Sequence, residues 1–214
     1  EFARVKGSGV AMMGFLINHP ARNFGSDQYR VAYTFRSTKT GIPTHLRIYW
    51  VGGSGYGAGN GGNIRIDIYP DSGGAPNTGA ASLGGTNYVP NLTAGEFTGG
   101  SLDEFENMAL SGASSLTAGT VYHIVFTNIA ADPEANFVST DAFGQLMTAG
   151  DQLPYLAATE FAVQTKLGTG SWANHQTAGH TGDYCCPLFD MTMTDGSHQG
   201  ISHMETGNVD VGGD

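Results

Sequence analysis

Between Thr44 and Tyr69 the chain carries two runs in which apolar residues recur at every second position. The first is His45-Leu46-Arg47-Ile48-Tyr49-Trp50 and the second is Asn63-Ile64-Arg65-Ile66-Asp67-Ile68-Tyr69. A period of two is that of a strand with one buried face, and it is incompatible with the 3.6-residue period of an amphipathic helix. Leu46, Ile48 and Trp50 then share one face of the first run, and Ile64, Ile66 and Ile68 one face of the second. Folding the runs back on each other as an antiparallel hairpin predicts Trp50 opposite Ile64, Ile48 opposite Ile66 and Leu46 opposite Ile68. The same register sets Arg47 against Asp67 on the solvent face and Tyr49 beside Arg65. The intervening segment, Gly52 to Gly62, is too long for a tight turn and holds a single aromatic, Tyr56.

The rest of the chain repeats the pattern more weakly. Tyr29, Val31, Tyr33 and Phe35 alternate with Arg30, Thr34 and Arg36. Val121 to Thr127 is the most strand-like run of the second half. Shorter strands are expected around Tyr88, from Phe105 to Leu110, Asn136 to Ser139, Phe161 to Lys166 and Leu188 to Thr194. Ala11 to Ile17 reads as an edge strand or a buried arm, ended by Asn18-His19-Pro20. Pro70 to Asn77 is dense in turn formers and has only Asp71 and Asn77 as oxygen ligands, so a plain turn is expected and not a calcium loop. Leu92-Thr93-Ala94-Gly95 recurs as Leu116-Thr117-Ala118-Gly119, a reused turn. The 33 glycines, about twice ordinary usage, suit many short strands joined by turns. Together these signals predict one all-β domain, an antiparallel β-sandwich of jelly-roll-like topology with about eight to ten strands and long glycine-rich loops. Residues 29–200 would form the sandwich, residues 1–28 an N-terminal arm or edge strand, and residues 201–214 a linker-like tail.

Charge narrows the partners. A formal net charge of −10 with only nine Lys and Arg argues against nucleic acid and anionic membrane surfaces. No run of about 18 apolar residues is present, so no membrane insertion is expected. Low lysine with abundant Gly, Thr, Asn and Ser points to an extracellular or surface location. The start at Glu1-Phe2, without an initiator Met or signal peptide, suggests a processed product or a piece of a longer chain. Cys185 and Cys186 are adjacent, and neighbouring Cα atoms lie about 3.8 Å apart, short of the roughly 4.4–6.8 Å that disulfides prefer. Free thiols are therefore expected over a strained vicinal bridge, in a structural role, because no basic cluster surrounds them.

Tyr33-Thr34-Phe35-Arg36, Leu46-Arg47-Ile48-Tyr49, Gly59-Asn60-Gly61-Gly62-Asn63-Ile64-Arg65-Ile66, Leu116-Thr117-Ala118-Gly119 and Tyr122-His123-Ile124-Val125-Phe126-Thr127-Asn128 together resemble a β-sandwich module of large bacterial extracellular proteins. Asp190-Met191-Thr192 and Asp195-Gly196-Ser197-His198-Gln199-Gly200 are similar as well, so the resemblance runs from about Tyr29 to Gly200. It implies a non-catalytic module, often followed by a further β domain. Cys185-Cys186-Pro187 departs from the pattern.

The residues bear on three chemistries. His175, His180, Asp183, Cys185, Cys186, His198 and His203 are metal-ligand types, but their spacing matches no structural zinc pattern, and neither a metal nor a cofactor is expected. A polysaccharide lyase or hydrolase would line one sheet with Arg, His and Tyr; His45, Arg47, Tyr49, Arg65, Asp67 and Tyr69 are the candidates, with His123 nearby. No paired carboxylates and no Gly-x-Ser-x-Gly elbow accompany them, so an enzyme is not the favoured expectation. Sugar binding needs a loop aromatic against which a C–H face packs, with amides for the hydroxyls. Tyr56 and Trp172 are such aromatics, and Asn60, Asn174 and His175 are such polar neighbours. The expected function is a non-catalytic adhesion or binding module for extracellular glycan. A self-assembling subunit of a viral fibre, capsid or surface filament shares the same composition and stands as the alternative.

Overall fold

The computed structural model describes residues 10–16, 30–51, 57–90, 104–145, 162–166, 168, 170–174, 185–187 and 189–201. They are all-β, with no helix among them. The strands are β1 (Val10–Leu16), β2 (Arg30–Arg36), β3 (Pro43–Val51), β4 (Ile64–Pro70), β5 (Gly85–Tyr88), β6 (Glu104–Ala109), β7 (Val121–Asn128), β8 (Ser139–Gln145), β9 (Ala162–Lys166), β10 (Ala173–Asn174), β11 (Cys185–Pro187), β12 (Phe189–Met193) and β13 (His198–Ile201). Two antiparallel sheets result, consistent with a β-sandwich. The first runs β1-β8-β3-β12-β13, with β11 also on β8 and β6 also on β3; the second runs β10-β9-β2-β7-β4-β5.

The expected hairpin does not form. β3 lies in the first sheet and β4 in the second, so the segment joining them carries the chain from one sheet to the other. Trp50 is opposite Glu104 and Thr140, whereas Ile64 is opposite Tyr88 and Asn128. Arg47 is flanked by Asn107 and Asp190, and Asp67 by Gly85 and Val125. The physical reason is that a period of two fixes which face of a strand is buried and says nothing about its hydrogen-bonded neighbour. Two apolar faces satisfy each other equally well side by side in one sheet or face to face across two. Here they meet face to face, and the Arg47–Asp67 match is coincidental. Only β4–β5, β9–β10 and β12–β13 pair with their immediate successors.

The predicted inward faces are otherwise as expected. Val31, Tyr33 and Phe35 from β2, Leu46, Ile48 and Trp50 from β3, and Ile64, Ile66 and Ile68 from β4 enter one core with Ile124, Phe126, Phe189 and Met191. Rings lock the sheets together. Trp50 stacks on Tyr88 of the opposite sheet, centroids 4.1 Å apart and planes within 9°, and meets Phe126 edge-on at 6.3 Å. Phe35 reaches Phe189 across the core at 5.1 Å. Two polar ties cross the same gap, from Tyr33 Oη to Thr140 Oγ1 (2.8 Å) and from Ser37 Oγ to Gln199 Oε1 (2.9 Å).

The strand expected from Asn136 to Ser139 begins instead at Ser139, after an isolated bridge between Ala58 and Phe137. Three strands were not foreseen. β10 falls in what reads as a polar loop, β11 holds Cys185 and Cys186 opposite Gly144 and Phe143, and β13 follows the Asp195-Gly196 turn. β1 stands at the end of the first sheet's strand order, paired with β8.

Truncating Trp50 to Ala removes the largest fully buried side chain and should cost about 3–5 kcal/mol of unfolding free energy by urea titration. A double-mutant cycle separates the two topologies. Trp50 and Tyr88 should couple by about 0.5–1.5 kcal/mol, while Arg47 and Asp67 should be additive within about 0.5 kcal/mol. Coupling between Arg47 and Asp67 in place of Trp50–Tyr88 would restore the hairpin.

Candidate functional site

The outer face of the second sheet carries the polar side chains of β9, β2, β7 and β4. Alternation puts Gln164, Lys166, Arg30, Ala32, Thr34, His123, Val125, Thr127, Arg65, Asp67 and Tyr69 on this side, because their neighbours occupy the core. Its centre is dry. Ala32, Thr34, His123, Val125 and Gln164 are all buried. The turn after β4 crosses over them.

That turn, residues 71–76, is closed by an Asp71–Pro76 bridge and by Ser72 N donating to the Ala75 carbonyl at 2.8 Å. Gly74, at φ +88°, takes a backbone conformation that a side chain would strain. Its carbonyl accepts a 2.7 Å hydrogen bond from Gln164 Nε2. Since β9 lies three strands from β4, the turn reaches about 14 Å across the sheet. At its base Asp71 Oδ2 accepts from Gly74 N (3.1 Å), and Asp71 Oδ1 is 2.8 Å from His123 Nε2. Both carboxylate oxygens therefore serve the protein, as suits the plain turn expected there.

On its other side His123 Nδ1 is 3.0 Å from Thr34 Oγ1. Burial lowers the His123 pKa, against the opposing pull of Asp71, so the ring is neutral at pH 7. In a neutral ring one nitrogen donates and the other accepts; Nε2–H donates to Asp71 and the Thr34 hydroxyl donates to Nδ1. Hydroxyl, imidazole and carboxylate in series also make a hydrolytic triad. Thr34, however, is only 1 % exposed, so this series clasps the turn to the sheet. It does not present a nucleophile.

Where β5 meets the segment after β6, the two sheets touch. Gly85 and Ser111 exchange backbone hydrogen bonds of 3.1 and 2.9 Å, and Ser111 Oγ donates to the Gly85 carbonyl. Gly85 is also pressed against β4, since a Cβ there would stand 2.5 Å from Asp67 Oδ1 and 2.9 Å from the Ile66 carbonyl. Above the seam lies an open cleft of about 610 Å³, lined by Arg65, Asp67, Ser82, Thr86, Asn87 and Ser111 among others. Arg65 Nε donates to Asp67 Oδ2 at 2.6 Å, and that bond raises the Arg65 pKa. Nη2 also donates to Asp67 Oδ1 at 3.4 Å, and Arg65 remains more than half exposed while Asp67 is mostly buried. Burial also raises the Tyr69 pKa.

The sequence-derived candidates are scattered. Tyr56 and His175 lie outside the described residues. Asn60 is exposed, but its Oδ1 accepts from Gly62 N (3.0 Å) and its backbone N donates to Asn136 Oδ1. Trp172 is half-buried just before β10, and Asn174 is exposed within it. Asn60 precedes β4, which is four interstrand steps from β10, or about 19 Å. The lyase-like set divides likewise: His45, Arg47 and Tyr49 belong to the first sheet, while Arg65, Asp67, Tyr69 and His123 belong to the second. Its expected single face is corrected by the same finding that removes the hairpin. Of the metal-ligand types, His198 pairs with buried Asp190 at 2.9 Å. His175, His180, Asp183 and His203 lie outside the described residues, and no group of three ligands occurs among those described.

The sequence analysis missed Thr34, Asp71 and Gln164 as partners of the turn, and Ser82, Asn87 and Ser111 as cleft residues. Of these only Asp71 lies in a stretch with a signal, the turn-forming composition of Pro70 to Asn77. No protein-family model matches the chain, and comparison with curated proteins finds no match.

His123 makes the fold acid-sensitive. Its folded pKa lies below the unfolded value of about 6.5, so between the two the unfolded chain binds more protons. Stability present above pH 6.5 is therefore lost as pH falls toward the folded pKa. Urea midpoints from pH 7.5 to 5 should decline for the wild type. In His123→Gln they should start lower and decline less over that window.

Proposed function

We propose that this chain is a non-catalytic binding module, extracellular or surface-exposed, whose partner is glycan, built on a jelly-roll-like sandwich. The topology proposal is supported by the chain changing sheets at most connections and by β1 and β11, far apart in sequence, both pairing with β8. The functional proposal rests on one observation, the open polar cleft at the β4–β5 edge. A sugar presents hydroxyls that both donate and accept. Arg65 and Asn87 supply donors, and Asp67, Ser82, Thr86, Asn87 and Ser111 supply acceptors. Trp172 adds an aromatic face at the opposite edge of the same sheet.

The test is a glycan array probed with wild type, Asn87→Ala and Trp172→Ala, each verified to fold by circular dichroism. Loss of a binding residue should weaken the recognised glycan by about 1–3 kcal/mol. No signal from wild type, or equal signal from all three, would overturn the reading in favour of a self-assembling subunit, which native mass measurement would reveal as a closed oligomer or polymer.

A further inference from the structure

Three of the chain's nine Lys and Arg residues fall in one line. In the register of the second sheet Lys166 is opposite Arg30, Arg30 opposite Thr127, Thr127 opposite Arg65, and Arg65 opposite Asn87. Residues directly opposite one another share a face, so this row crosses the sheet on its outer side, at right angles to the strands. Strand spacing puts Lys166 and Arg30 backbones about 5 Å apart and Arg30 and Arg65 about 10 Å apart.

Among the described residues no carboxylate pairs with the Lys166 and Arg30 end of the row. Like charges directly opposite in a sheet repel. In a chain of net charge −10 there is no shortage of carboxylates to place beside them. Arg65 has Asp67, yet its side chain stays more than half exposed. In the adjacent row Gln164 is 95 % buried, and its Oε1 has no partner. At the β10 end Asn174 is opposite Gln164 and Ala173 opposite Thr165, and half-buried Trp172 immediately precedes that strand. At the β5 end the row runs into the cleft through Arg65 and Asn87.

We infer that the occupant of this face is an acidic polysaccharide, lying across the strands from Trp172 over Lys166, Arg30 and Arg65 into the β4–β5 cleft. This rests on the glycan reading and adds the charge of the ligand and its path. The step between neighbouring strands is close to the length of one hexose ring, so successive sugars meet successive strands. Carboxylates or sulfates on the sugars take charge-assisted hydrogen bonds from the guanidinium and ammonium groups, and one C–H face packs on Trp172. A wrapping polyanion such as nucleic acid fits poorly, because the rest of the surface carries the negative charge, whereas an oligosaccharide engages this row alone.

The experiment is calorimetric titration of the full chain with four hexasaccharides: a uronate, its uncharged methyl ester, a sulfated neutral backbone and the unsulfated backbone. The variant is Arg30→Gln/Lys166→Gln, with the single variants Lys166→Gln and, in the β2–β3 connection, Lys39→Gln as a pair matched in charge. Arg65 is left intact, since its loss would strand Asp67. The expected result is binding of the uronate, the sulfated chain or both at least tenfold tighter than the uncharged counterpart, weakening as salt is raised. The double variant should lose that advantage, Lys166→Gln should lose part of it and Lys39→Gln should keep it; whichever acid is preferred identifies the anionic group. Equal binding of charged and uncharged sugars, unchanged in the double variant, would overturn the acidic ligand and leave the glycan reading standing. No binding of any of the four, joined to an empty array, would overturn both.

Discussion

The contact between Trp50 and Tyr88 holds the two sheets in their relation to each other. A flat stack between a central strand of one sheet and an edge strand of the other fixes both their separation and their lateral position. Phe126 closes on the same indole from the side, and Phe35 with Phe189 repeats the arrangement further along the core. The indole nitrogen of Trp50 is buried without a partner, an expense tolerated for the area the ring covers. Because β5 is held against β3 in this way, its neighbour Gly85 is brought to Ser111, and the cleft opens above that junction. The candidate site is thus a by-product of how the core is packed.

How much was legible in the sequence follows from what strand periodicity encodes. The inward residues of β2, β3 and β4 are legible in the sequence, since alternation is a property of each strand alone. Pairing is not, because it depends on the order in which strands lie, and nothing in Leu46-Ile48-Trp50 distinguishes a neighbour in the same sheet from a facing one. The apparent Arg47–Asp67 match shows how a plausible cross-strand pair arises by chance when both outer faces carry charge. β10, β11 and β13 escaped notice because strands of two to four residues have too few alternations to register. The site was less legible than the fold. The Arg30, Lys166 and Arg65 row exists only once β9, β2, β7 and β4 are set side by side, and Asp71 meets His123 only once the turn has folded back.

The outer surface of the second sheet is unusual for being partly a second interior. Ala32, Val125 and Thr34 lie beneath a turn rich in glycine, and small side chains there let the backbone of residues 71–76 pass close above the sheet. The clasp at His123 and the Gln164–Gly74 bond hold its two ends. This divides the face: a sealed centre, and beyond it the half-buried to exposed strip where cations and cleft are found.

The changes of sheet at most connections also bear on how the chain reaches this state. β3 is flanked on one side by β6 and on the other by β12, whose residues lie about 140 positions later in sequence. Its hydrogen-bonding partners are therefore supplied late, and loop closure must be completed before they are gained. Sandwiches dominated by such distant pairings fold on the millisecond-to-second scale. During synthesis β3 emerges long before β12, so its unpaired edge and the Leu46-Ile48-Trp50 face wait without their final neighbours. Vectorial emergence from a ribosome or a translocation pore thus leaves a half-built sheet exposed for most of the chain's passage.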